Sequence, residues 1–166
     1  MGDEDDASSS LHRPLEAIVA LFAPRSIYEP LIRHSIDLCR LYRRAATAAR
    51  EPGLRIVLNE NAQTLMQVVS DLQAQQRRTG EPVSQRGTWR GTVRARWAAG
   101  LPHSASRTDS DWIRDLGRHE RRLLHLFERA TIATAPADVA LVLRRQLPRL
   151  HGIHLDMHGL GGAARY

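Results

Sequence analysis

Two short loops and one long connection constrain this chain more than any other feature. Residues 27–50 and 54–79 carry apolar residues at helical spacing and are joined by only Glu51-Pro52-Gly53. Residues 110–134 and 138–160 repeat the arrangement and are joined by Ala135-Pro136-Ala137. Loops this short force antiparallel helix neighbours. Between the two hairpins lie residues 80–109, opening with Gly80-Glu81-Pro82 and holding Trp89 and Trp97. Short–long–short connections predict an all-α, ferritin-like four-helix bundle, with a long crossover between the second and third helices. Trp89, Val93 and Trp97 stand at i, i+4 and i+8, which predicts a short helix inside that crossover. No segment alternates with the period of a strand.

The seams can be read residue by residue. Leu31, Ser35, Leu38, Tyr42, Ala45 and Ala49 step by four and three, the signature of one buried helix face. Leu54, Leu58, Asn61, Leu65, Val68 and Leu72 do the same in the second helix. The third stripe is read as Trp112, Leu116, His119, Leu123, Leu126 and Ala130. The fourth is Val139, Leu143, Gln146, Leu150, Ile153 and Met157. Ser26 with Glu29 reads as a capping box for the first helix, and Asp109 or Ser110 as the cap of the third. Pro148 inside the fourth stripe predicts a bend or split near residues 147–148, because an internal proline loses a backbone bond and clashes with the preceding turn. Flanking segments complete the layout. Residues 1–10 are expected to form an acidic, disordered tail, and 11–25 a short N-terminal helix and linker. Residues 26–160 form the bundle, and 161–166 a flexible tail.

Composition narrows the function. The 166 residues fit one domain with a real core, and aromatic residues are only 5%, so that core is aliphatic. No apolar run reaches the ~18 residues needed to span a bilayer. The run from Leu15 to Pro24 is too short, and it follows Asp3, Glu4, Asp5 and Asp6, the wrong charge for a signal peptide. The reading is a cytoplasmic, bacterial-like protein without a membrane partner. The single cysteine, Cys39, permits no internal disulfide and sits among Leu38, Leu41 and Tyr42 as a packing residue. All 24 basic residues are Arg. The net charge is +6, and the four acids of the first ten residues leave +10 for the remainder. From Arg77 to Arg107 seven Arg face one acid, Glu81, with two Trp interleaved. That pattern suits phosphate contact and base stacking, so nucleic acid is one candidate partner. Packing of a crossover helix and the coding bias of a high-GC genome explain the same residues, and are the preferred account.

The sharpest local chemistry is His151, His154 and His158, at offsets of three and four on one helix face, with Asp156 nearby. Imidazoles so placed can bind Zn, Ni or Cu. Glu120 lies about as far before the turn at Pro136 as His154 lies after it, so an antiparallel pair brings them to one level. Glu120, His151, His154 and His158 are therefore the candidate metal ligands. There is no Gly-rich phosphate loop and no nucleophile–base arrangement at useful spacing, which points away from an enzyme.

Several of these residues carry a resemblance. Gly80-Glu81-Pro82, Gly87, Arg90-Gly91 and Arg96-Trp97 in the crossover resemble a bacterial ferritin-like family of uncharacterised function. Asp37 and Tyr42-Arg43-Arg44-Ala45-Ala46 in the first helix, Glu120 in the third, and Arg145-Gln146 with His154 in the fourth extend the likeness over about residues 31–158. The resemblance implies a ferritin-like fold that ancestrally held two metals. It also implies a degenerate member, because Arg40 and Gln63 stand where the family has carboxylates. A di-metal centre needs a Glu from each of two helices and a Glu-x-x-His from each of the other two, and the second and fourth helices lack that motif. The expectation is a non-enzymatic interaction or stress-related protein, without iron. It would act by self-association or through an acidic partner, with Zn, Ni or Cu binding as the alternative.

Overall fold

The computed structural model describes residues 26–83, 85–87, 107–133 and 136–163, with side chains described as far as Leu160. Among them are four helices and no strand: α1 (Tyr28–Ala48), α2 (Pro52–Arg78), α3 (Asp109–Ile132) and α4 (Ala137–Ala163). The N-terminal segment, the crossover helix expected around Trp89–Trp97 and residues 164–166 lie outside the described residues. None of the described helices is long and apolar enough to cross a membrane.

Each helix packs on two neighbours. α1 lies against α2 and α3, and α4 lies against α3 and α2. Contacts at the helix ends fix the directions. Asp109, in the first turn of α3, accepts hydrogen bonds from the backbone N–H groups of Arg50 and Glu51, just beyond the C-terminus of α1. Gln76, near the end of α2, donates to the Ser26 hydroxyl just before α1. The chain therefore leaves α2 at one end of the pair and re-enters α3 at the other.

The core is the set of seams predicted for α1 and α2, with every predicted position buried, from Leu31 to Ala49 and from Leu54 to Leu72. In α4 Leu143, Gln146, Leu150, Ile153 and Met157 are buried, and Val139 is half-buried. Burying each Leu or Ile contributes about 1.5–3 kcal/mol, and this aliphatic interior holds the hairpins together. α3 departs from the prediction. Its buried line is Trp112, Leu116, Glu120, Leu123 and Phe127, while His119, Leu126 and Ala130 are only half-buried. The helix is rotated so that a glutamate, rather than the neighbouring histidine, faces inward. Cys39 is buried, its thiol is directed at the Ala62 carbonyl, and burial raises its pKa.

The ends correct several expectations. Ser26 does not cap α1 through a box: its hydroxyl accepts from the Tyr28 N–H, and Glu29 pairs with Arg33 instead. The capping box belongs to α3, where Thr108 and Asp111 exchange bonds, because Asp109 is already engaged with the α1–α2 turn. α2 stops in a Schellman motif. Gly80, at φ 72°, lets the Glu81 N–H reach the Gln76 carbonyl. Pro148 does not split α4, which runs without interruption to Ala163, three residues into the stretch expected as a tail. Proline at 148 removes the donor for the Arg144 carbonyl. Both residues are exposed, so water can serve that carbonyl.

Candidate functional site

Among the described residues Glu120 is the one acidic residue buried as a whole. Glu120 is 3% exposed, at the centre of the α3 seam. α1 supplies Tyr42, fully buried, whose hydroxyl donates to Glu120 Oε1. α4 supplies His154, whose Nδ1 stands 3.7 Å from Glu120 Oε2. Three helices thus converge on one carboxyl, α1 and α3 through seam positions and α4 through a half-buried residue beside its seam. Among the described residues neither Glu120 Oε2 nor His154 Nδ1 has a hydrogen-bond partner, although both atoms are buried.

The electrostatics follow from burial. Desolvation, reinforced by the negative charge of Asp156 and opposed by Arg121, raises the Glu120 pKa from 4.5 to about 8. Burial also lowers the His154 pKa, and His158, Arg121 and His151 add to the effect. At neutral pH the carboxyl holds its proton and the imidazole holds no charge, so the cluster is neutral. A neutral cluster is what an apolar interior tolerates, since an unpaired buried charge costs several kcal/mol.

The other two predicted ligands stand elsewhere. His151 is exposed, its Nδ1 bonds the Leu147 carbonyl, and its Nε2 lies 3.8 Å from Glu128. His158 is exposed and meets His154 ring to ring, with centroids 6.3 Å apart. Of the four candidates, the structure brings together Glu120 and His154 only. Among the described residues no group of three or more His, Cys, Asp or Glu is placed to hold a metal. Arg40 and Gln63 are both exposed. They do not stand in the interior in place of ligands. The interior positions of α1 and α2 that carry polar groups include Tyr28, Ser35, Tyr42, Asn61 and Gln76.

Tyr42 is the site residue that the sequence reading left out of the site. Its spacing marks it as seam, yet a phenol in an aliphatic seam carries a hydroxyl that must find a partner. That requirement was a usable signal. The Arg-rich crossover proposed for nucleic acid falls mostly at residues 88–106, outside the described residues. Its described members include Arg107, which stacks on Trp112 at 4.1 Å and pairs with Asp115 at 3.1 Å. That arginine serves packing at the start of α3.

Comparison with protein-family models and with curated proteins found no match to this chain.

Proposed function

We propose that this chain is a ferritin-like bundle with a degenerate metal site, acting without catalysis as an interaction module. The observation that carries this reading is the Tyr42–Glu120–His154 cluster. A di-metal centre asks for four carboxylates and two imidazoles on facing helices. Among the described residues this cluster offers one carboxyl and one imidazole, and a phenol takes one oxygen of that carboxyl. The donor set does not fit two iron ions. What remains is a bundle whose polar centre serves to select the packing of three helices. Contacts with a second copy of the chain or with an acidic partner would use its arginine-rich exterior.

Metal analysis tests the reading. Protein produced in iron-supplemented medium and purified without chelators should carry no stoichiometric iron and show no ferroxidase activity. Stoichiometric iron would overturn the degenerate site. Sedimentation then tests self-association, and a chain monomeric at all concentrations leaves the acidic partner as the target.

A second reading is favoured by one specific observation, the 3.7 Å gap between two orphaned ligand atoms. Two ligands of one tetrahedral Zn are about 3.5 Å apart when each bond is about 2.1 Å. A single Zn, Ni or Cu between Glu120 and His154 is therefore the alternative. Uptake would release the carboxyl proton, so it would weaken as pH falls through about 8, where Glu120 takes that proton back. His154→Ala should then abolish uptake, and no uptake by the unaltered chain at neutral pH would exclude it.

A further inference from the structure

The facing edges of α2 and α4 enclose a groove of about 500 Å³. Its walls are set by helical spacing: residues 71, 74, 75 and 78 on α2, and 142, 145, 146 and 149 on α4, each at i, i+3, i+4, i+7. Three arginines and a single carboxylate line it.

The charges divide into two groups. Asp71 is already engaged, by Arg149 at 2.6 Å and by Gln146 at 3.3 Å, and Arg149 also donates to Gln146 Oε1. Gln146 is 4% exposed and forms a buried polar floor joining the two walls. This network neutralises the Asp71 carboxylate. Arg78 and Arg145 are exposed, and among the described residues neither has a hydrogen bond or ion pair. With the Asp71 carboxylate already paired to Arg149, Arg78 and Arg145 leave the groove net positive, and an anion seated there would offset that charge.

A second observation points to the same groove. Pro148 lines it from the exposed side of α4. A proline inside a helix costs about 3 kcal/mol, and nothing in the core requires this one. Local rules broken without a packing reason concentrate at functional or strained sites. The rigid ring, with Val142 and Ala74, gives the groove an apolar wall beside its cations.

We propose that this groove is a binding site for a small, multiply charged oxyanion, held by Arg78 and Arg145 above the Gln146 floor. Guanidinium groups form paired bonds to phosphoryl and to carboxylate oxygens alike. The volume lies within the usual range for small-molecule sites, about 300–1,000 Å³. The site lies on the α2–α4 seam, is built without Glu120 or His154, and does not depend on the metal reading.

Calorimetric titration of the full chain with pyrophosphate and, separately, with succinate tests the proposal. Saturable binding of pyrophosphate identifies a phosphoryl ligand, and binding of succinate alone identifies a dicarboxylate. The double variant Arg78→Gln, Arg145→Gln should weaken binding at least about tenfold, and Arg145→Glu should abolish it. Both positions are exposed, so the fold survives the changes. Arg43→Gln, on the exposed side of α1, should leave affinity unchanged. Failure of both probes to bind at millimolar concentration would overturn the proposal. So would an affinity indifferent to loss of Arg78 and Arg145.

Discussion

Replacing Glu120 by Gln should stabilise the protein at neutral pH, and by an amount that depends on pH in a defined way. The carboxyl has an ordinary pKa of 4.5 and is raised to about 8 in the fold. The folded state therefore binds its proton more tightly than the unfolded state. The stability this contributes is complete below 4.5. It declines as pH rises, and is gone once pH has passed about 8. The gap of 3.5 corresponds to about 5 kcal/mol at about 1.36 kcal/mol per pH unit. That figure is a ceiling, because a hydrogen bond from Tyr42 favours the ionised form and works against desolvation. By about pH 7 the chain has lost 2.5 of the 3.5, or up to about 3 kcal/mol. Gln occupies the same volume and can still accept from Tyr42, but it does not ionise. The variant should match the parent near pH 4.5 and exceed it by up to about 3 kcal/mol near neutrality. Urea unfolding followed by circular dichroism, at intervals from about pH 5 to pH 8, gives the two curves. His154, lowered by burial, contributes in the opposite sense. Its stability is present above 6.5 and lost as pH falls, but it is common to both proteins and cancels in the difference. Parallel curves would refute the argument, because they would mean that Glu120 ionises at its ordinary value and is not buried as described.

Two other perturbations probe the frame. Leu65→Ala, at a fully buried α2 position, should lower stability by roughly 2–5 kcal/mol. A loss under about 1 kcal/mol in urea unfolding would place the seam elsewhere. Asp109→Ala removes the acceptor of the Arg50 and Glu51 N–H groups and should cost about 1 kcal/mol. The control is Asp138→Ala, at the start of α4; an equal loss there would show a general charge effect and no specific bond.

The seams of α1, α2 and α4 could be read in the sequence because their apolar residues recur at steps of three and four. The loops Glu51-Pro52-Gly53 and Ala135-Pro136-Ala137 made the hairpins legible, since so few residues can only reverse the chain. α3 was misread by part of a turn. Its buried line passes through Glu120 and Phe127, and a glutamate reads as surface in any hydropathy pattern. Helix caps were less legible still, because Asp109 and Ser26 are drawn to partners from other helices.

The amino-acid sequence alone determined four amphipathic helices, their pairing and an aliphatic interior, because helical period and loop length are local properties. Tertiary structure decided what each polar group became. Glu120 is a buried, protonated acid because packing inside the bundle takes it out of water, with the negative charge of Asp156 nearby. His151 and His158, on the same helix as His154, stay outside because the inward face runs through Leu150, Ile153 and Met157, with His154 at its edge and the other two beyond it. The groove of Arg78 and Arg145 likewise exists only where α2 meets α4. The charge state of a side chain depends on the dielectric and the neighbours that packing assembles around it. Those neighbours are distant in sequence, so no pattern along the chain contains them.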